Sequence, residues 1–263
     1  MIGIYLLCLI IFPVTILYKI EILNKSRMNV LMSRNDTQFL RGVSACFVVL
    51  AHFCTWVNKI QEMNNIFYFA ISQLGGIGVL IFFFVSGYGI YESYAYKTPN
   101  WDYLWKRAKS VYFPYLIIKF LLVIFDFIIG RRITFGLQEF ISYILVDEWF
   151  VHVILIQYIV FFIIWKFLNV KRMILYSFLV DCVLSCVYII EKKPDGWFNA
   201  LWLFTFGMAC SQYKDKICNF LDVRTWIKSF LFLGAFCIIG VLFAVNKGAY
   251  WANPFKVIGG GFL

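Results

Sequence analysis

The sequence predicts an all-α protein, a polytopic bundle of transmembrane helices. Of its 263 residues, 62% are hydrophobic and only 14% are charged, and the mean hydropathy is +0.81. A soluble domain of this length carries about 25% charged residues, so the surplus apolar surface requires lipid around it. Apolar stretches separated by short charged loops supply the spans. None of them shows the period-two alternation that strands of a membrane barrel require.

Eight apolar stretches approach the roughly 17–25 residues that a helix needs to cross a bilayer. They are residues 1–18, 42–58, a longer stretch between Glu62 and Glu92, 111–130, 149–165, 173–190, 196–213 and 229–246. Residues 1–18 lack both a basic start and a small-residue cleavage site, so we expect an uncleaved helix rather than a signal peptide. Residues 138–146 are too short to span, and we expect them at the outer interface.

Basic residues divide the loops into two alternating sets. One set holds fifteen Lys and Arg residues and the other holds seven. Cytoplasmic loops carry the excess of Lys and Arg, so the richer set is predicted to be cytoplasmic and the amino terminus external. The net charge of +10 is then a property of loops. Nucleic acid is not an expected partner, because so few charged residues cannot build a phosphate-binding face.

Ionisable side chains inside spans are costly and mark cavities or buried partners. Here they are His52, Lys119, Asp126, His152 and Asp181. Lys119 and Asp126 lie two helical turns apart, too far for a direct pair, and we expect Asp181 to pair with Lys119.

The outer end of the fifth span offers a second group of polar side chains. His152 lies one turn into the span, close to Glu148. It is suited either to meet an external acceptor or to act as an ordinary interfacial histidine. Together with Lys119, Asp126 and Asp181, these two residues are the candidates for an acceptor site or cavity.

Arg41 and His52 form the most informative pair. Eleven residues correspond to about 1100° of helix, so both side chains project from nearly one face, about 16 Å apart along the axis. A guanidinium binds phosphate well, and an imidazole takes a proton from a hydroxyl near neutral pH. A long substrate with phosphates at one end, such as acyl-coenzyme A, would bridge them. The alternative is that Arg41 anchors the helix at the interface and His52 hydrogen-bonds across helices.

Four segments, in order, resemble motifs of the acyltransferase 3 family. Residues 40–52 resemble its R-x10-H helix, and residues 78–88 its FF-x-x-SG-Y helix. Lys106-Arg107 followed by Phe113-Pro114-Tyr115 is similar to its basic loop, and Trp149-Phe150 with Tyr158 to a later helix.

The resemblance implies an integral membrane enzyme that moves an acyl group, commonly acetyl, from coenzyme A to envelope carbohydrate. His52 would be the catalytic base, and Arg41, Lys106, Arg107 and Ser86 would bind the donor. Ser86 is also explained by helix packing, and Lys106 and Arg107 by ordinary cytoplasmic charge. No metal and no tightly bound cofactor are implied. The expected location is the plasma membrane of a bacterium.

The resemblance also divides the chain. Residues 1–31 are an additional N-terminal helix with a basic loop, and residues 32–263 are the acyltransferase-like membrane domain, which we expect to be incomplete at its C-terminal end. Two other functions stay open: a non-enzymatic transporter or exporter of envelope polysaccharide or lipid-linked sugar, and a truncated remnant without activity.

Overall fold

The structure, a computed structural model, describes residues 32–61, 66–98, 100–129, 136, 148–168, 172–194 and 196–222. Every regular element in these ranges is helical, which confirms the predicted all-α class. The elements are α1 (Arg34–Gln61), α2 (Ile66–Tyr94), α3 (Asp102–Arg107), a π-helical turn (Ala108–Tyr112), α4 (Phe113–Ile128), α5 (Trp149–Phe167), α6 (Met173–Ile190), α7 (Gly196–Gln212) and α8 (Lys214–Asp222).

Within these ranges, five segments are long and apolar enough to cross a membrane. They are Arg34–Thr55, Leu74–Tyr94, Asp102–Phe125, Trp149–Phe167 and Met173–Ile190. Helix α7, predicted as a span, has 17 residues. The predicted spans at 1–18 and 229–246 and the interfacial segment at 138–146 lie outside the described residues. The chain is therefore a multi-pass membrane protein.

Local sequence signals account for two helix ends. Helix α1 begins at a reciprocal capping box, in which the backbone N–H of Ser33 donates to Asp36 (2.8 Å) and the N–H of Asp36 donates to the Ser33 hydroxyl (3.2 Å). Helix α6 ends at Ile190, and Lys192 just beyond it has a left-handed φ of 54°. The N–H of Lys193 then donates back to the Tyr188 carbonyl (2.9 Å), and Pro194 stops the helix.

Helices α3 and α4 form one rod through the π-helical turn. Pro114 stands at the start of α4. Proline has no backbone N–H to donate to the carbonyl four residues earlier, and in a regular α-helix its ring crowds that carbonyl. A wider turn over Ala108–Tyr112 accommodates the ring without a break in the rod.

Helices α2 and α7 pack with their backbones close together, and two glycines permit it. A Cβ atom on Gly87 would stand 2.0 Å from the Phe204 carbonyl oxygen, and one on Gly207 would stand 2.1 Å from the Phe84 carbonyl oxygen. In lipid, helices associate mainly through such close backbone packing. Gly87 of α2 and Gly207 of α7 therefore set how closely these two helices pack.

The buried core lies between α2, α3, α5, α6 and α7, with fully buried Phe83, Phe161, Leu201 and Phe204 among its members. Helix α4 instead exposes large apolar side chains such as Phe127, which is 76% exposed. Such a surface suits lipid rather than water.

Aromatic and ionic contacts tie the helix ends together at two opposite ends of the bundle. At the first, the rings of Tyr94 (α2) and Trp165 (α5) lie 5.8 Å apart, and Lys214 (α8) bonds Glu92 (α2) at 2.6 Å. We call this the basic end. At the second, Trp197 of α7 lies 5.2 Å from the ring of Tyr188 of α6. The contacts agree with the predicted alternation of loops, and the cytoplasmic location of the basic end stays a prediction.

Candidate functional site

Arg41 and His52 both lie in the uninterrupted helix α1, as the argument from their spacing requires. Arg41 is half-buried against α2. One of its guanidinium nitrogens, Nη2, lies 3.4 Å from the position that a Cβ atom on Gly89 would take, so this glycine gives the guanidinium room. The imidazole of His52 is exposed, and no hydrogen bond or ring contact with it occurs in the described part of the chain.

Tyr158 of α5 connects the residues that the sequence assigned to donor binding. Its buried hydroxyl lies beside the Ser86 hydroxyl and the Arg107 guanidinium, and within electrostatic range of Arg41. Three helices, α1, α2 and α5, and the end of α3 therefore meet at this side chain. The structure brings Arg41, Ser86 and Arg107 together.

Three tyrosine rings hold the Arg107 guanidinium. Its central carbon lies 5.6 Å from the ring centroid of Tyr94, and 5.7 Å from those of Tyr103 and Tyr158. Its Nη2 also donates to the Tyr94 hydroxyl at 3.4 Å. Cation–π contacts of this kind grow stronger away from water, so the guanidinium is fixed before any ligand arrives. We call Arg41, Tyr94, Tyr103, Arg107 and Tyr158 the arginine–tyrosine cluster.

The cluster contains buried donors without an acceptor among the described residues. They are Nε of Arg41, Nε of Arg107 and the hydroxyl of Tyr103, with the indole N–H of Trp165 beside them. A buried donor left unpaired costs about 1–3 kcal/mol. Because the unpaired groups are donors and two of them carry positive charge, an anion is the ligand that would satisfy them.

Lys106 does not join the cluster. Its side chain is exposed and lines a cavity with Lys97, Tyr94 and Tyr103. The two basic residues, adjacent in sequence, thus point to different places at the basic end.

The expected pairing of Lys119 with Asp181 is wrong. Lys119 is buried and pairs instead with Glu148 at 3.4 Å. Both carboxylate oxygens of Asp181 are used by other helices, with Gln157 donating at 2.7 Å and Thr205 at 2.5 Å. Asp181 sits at mid-depth in α6, where uncharged polar groups on α5 and α7 are at the same level.

The remaining candidates lie apart from the cluster. The ring of His152 is half-buried and lies 5.6 Å from the ring of Trp197, at the end opposite the basic end. Glu148 is at the same end, bound to Lys119. Asp126 lies in α4, and its side chain is outside the described residues. No group of His, Cys, Asp and Glu within the described ranges is arranged to hold a metal ion.

Sequence reasoning missed Tyr94 and Tyr103, and it named Tyr158 only as part of a motif, without a role. One signal was available for Tyr103, which precedes Arg107 by four residues and therefore shares its helix face. Gln157 and Thr205 also had a signal, since both are polar residues near the centre of spans adjacent to the span of Asp181. Tyr94 had none, because its contact with Arg107 depends on how α2 packs against α3.

Comparison with known proteins adds the family. The chain is 26% identical over 112 residues to nodulation protein 10 of Rhizobium leguminosarum bv. viciae, a match that covers 42% of this chain and 30% of that protein. The match thus spans less than a third of the relative's length. No solved structure matches the chain. The family of the acyltransferase domain, acyltransferase 3, matches residues 35–263. Since this match includes every helix described above, the chain belongs to the acyltransferase 3 family of membrane proteins.

Proposed function

We propose that the chain transfers an acyl group, most simply acetyl, from acyl-coenzyme A to a hydroxyl of an envelope carbohydrate in the plasma membrane of a bacterium. One observation carries the proposal. Two guanidinium groups from separate helices, Arg41 and Arg107, meet around Tyr158 with their buried Nε donors unpaired.

In this proposal the two arginines hold the phosphates of the donor. A guanidinium presents a planar set of donors that matches phosphate oxygens. Arg107 is already oriented by three rings, and Arg41 has space beside Gly89. Binding therefore requires little reorganisation of either side chain, which favours affinity.

His52 is the general base in the proposed reaction. The acceptor oxygen attacks the thioester carbonyl carbon while its proton passes to the imidazole of His52. The carbon–sulfur bond then breaks, and the imidazolium returns the proton to the departing sulfur, which yields an ester and free coenzyme A thiol. Because His52 is exposed, none of the described helices covers the imidazole. The separation of about 16 Å from Arg41 suits a donor with a long arm between its phosphates and its thioester.

The contacts of the intramembrane charges favour an enzyme over a transporter of polysaccharide or lipid-linked sugar. In a transport pathway such groups face a water-filled cavity. Asp181 is instead fully buried between Gln157 and Thr205, and Lys119 is paired with Glu148. These groups hold helices together.

The test uses the purified full chain in nanodiscs with acetyl-coenzyme A and de-acetylated bacterial envelope glycan, and it records free thiol. We expect His52→Ala to lower the turnover by about 10²–10⁴-fold, the usual contribution of a general base, with coenzyme A binding unchanged. Arg41→Ala should weaken coenzyme A binding by about tenfold or more.

Lys109→Ala is the matched control. It removes one positive charge from the same end of the bundle, where Lys109 lies over the Trp105 ring, 5.0 Å from its centroid and outside the cluster. Native thiol release by His52→Ala would refute the role of the base. Absence of coenzyme A binding by the native chain would favour the transporter.

A further inference from the structure

A cavity of about 350 Å³ opens at the basic end, beside the arginine–tyrosine cluster. It lies where the end of α2, the start of α3 and the end of α5 meet. Its volume is within the range of small-molecule sites. Six of the residues that line it carry the argument: Tyr94, Lys97, Asp102, Tyr103, Lys106 and Trp165.

The inner wall of the cavity is aromatic and contains unpaired donors. The side chains of Tyr103 and Trp165 are 1% and 3% exposed. The Tyr103 hydroxyl and the Trp165 indole N–H have no acceptor in the described part of the molecule. Such a wall suits a flat ring system that brings its own hydrogen-bond acceptors.

The rim of the cavity carries both signs of charge. Lys97 and Lys106 are exposed cations, and the ammonium of Lys97 lies 5.5 Å from the centroid of the Tyr94 ring. Asp102 supplies a carboxylate, which accepts a hydrogen bond from the side chain of Asn100 at 2.9 Å. A fully ionised simple phosphate would have no hydrogen-bond donor for this carboxylate. A ligand that combines phosphate with an aromatic amine would satisfy the lysines and the carboxylate together.

The cavity adjoins the arginine–tyrosine cluster. Tyr94 and Tyr103 line the cavity and also hold Arg107. Arg107 lies next to Tyr158, which is within electrostatic range of Arg41. A phosphate chain that leaves the cavity on the side of these two tyrosines would therefore come first to Arg107.

We infer that this cavity binds an adenosine 3′,5′-bisphosphate group, the head of the donor, with the base against the aromatic wall and the 3′-phosphate at Lys97 and Lys106. The inference rests on the proposed function. It assigns a binding site to the nucleotide end of the donor, which the proposed function did not place. It also gives Lys106 and Arg107 different roles, because Lys106 would bind the ribose phosphate and Arg107 the diphosphate.

The test measures binding of adenosine 3′,5′-bisphosphate to the full chain in nanodiscs by calorimetry. Wild type should bind it, and Lys97→Ala combined with Lys106→Ala should raise the Kd by about tenfold, since two charge-assisted contacts are lost. The control is Lys109→Ala combined with Lys216→Ala, which removes the same charge outside the cavity and should leave the Kd unchanged. Thermal unfolding of both double variants verifies that they are folded.

Equal Kd values for the two double variants would overturn the inference, and so would displacement of the bisphosphate by glycerol 3-phosphate at equal concentration, which would identify a headgroup site. A second readout separates this inference from the proposed function. With acetyl-coenzyme A as donor, the cavity variant should raise KM about tenfold, whereas with acetyl-pantetheine, which lacks the nucleotide, KM should not change. Thiol release with no such difference refutes the cavity alone. Bisphosphate binding as expected without any thiol release refutes the proposed function alone.

Discussion

Replacing Gly87 by alanine is expected to force helices α2 and α7 apart. The new methyl group would stand 2.0 Å from the Phe204 carbonyl oxygen and 2.8 Å from its carbonyl carbon. Ordinary contacts between carbon atoms lie at about 3.5–4.0 Å, so the backbones must separate by about 1 Å or more. Overpacking of this kind costs about 1–3 kcal/mol. Alanine returns about 1 kcal/mol through its higher helix propensity, and we expect a net loss of about 1 kcal/mol in the free energy of unfolding, within a range of about 0–2 kcal/mol.

Gly76→Ala in the same helix is the matched control. A Cβ atom there would meet nothing within 4 Å, so only the gain in helix propensity remains, about 1 kcal/mol. Titration of both variants with sodium dodecyl sulfate in mixed micelles, followed by tryptophan fluorescence, should give midpoints on opposite sides of the wild type. If Gly87→Ala unfolds at the same point as Gly76→Ala, the close approach of α2 and α7 is not what stabilises the bundle.

Two further predictions concern polar contacts. Asp181→Ala should lower the free energy of unfolding by about 1–3 kcal/mol, because interhelical hydrogen bonds in membranes contribute about 0.6 kcal/mol each and Gln157 and Thr205 are left unpaired. Asp181→Asn can still accept a hydrogen bond from Gln157 and can donate one to Thr205, so it should lower the free energy less. Equal losses in the two variants would exclude the hydrogen-bond explanation. The bond to Glu92 raises the pKa of the Lys214 ammonium, and a raised pKa means stability that is complete at neutral pH and lost as the pH rises through the folded-state pKa. Between about pH 8 and about pH 12, the free energy of unfolding of the wild type should therefore fall by about 0.2–1 kcal/mol more than that of Lys214→Met. Parallel plots of the free energy of unfolding against pH for the two proteins would contradict this.

Helix boundaries were predictable where charge bounds an apolar stretch. Helix α6 begins and ends at the predicted residues, Met173 and Ile190, because Arg172 and Glu191 flank it. Helix α1 instead starts eight residues before the predicted span, at Arg34. The capping box at Ser33 sets that start, and a hydropathy reading gives no weight to it.

The candidate site was predictable only in part. The spacing of Arg41 and His52 within one helix, and the presence of Arg107 at a basic end, followed from local sequence. The meeting of Arg41 with Tyr158 did not, since these residues are far apart in sequence and their contact depends on how three helices pack. The predicted pairing of Lys119 with Asp181 was wrong for the same reason. The two charges are opposite, but the depth of each residue in the membrane and the packing of the helices decide which groups meet. Glu148 is the carboxylate that Lys119 reaches.

The wide turn at Ala108–Tyr112 sets the rotational phase between the two halves of a single rod. A π-helical turn holds one residue more than the α-helical turn that it replaces, so loss of one residue there would restore a regular helix and leave the phase of the two halves nearly unchanged. Loss of one residue after Tyr112 would instead rotate everything beyond it by about 100°, and Lys119 would then swing away from Glu148. The wide turn is thus the place in the rod that tolerates a change of one residue, whereas the same change further along would uncouple the anion-facing half of the rod from the half anchored at the opposite membrane surface.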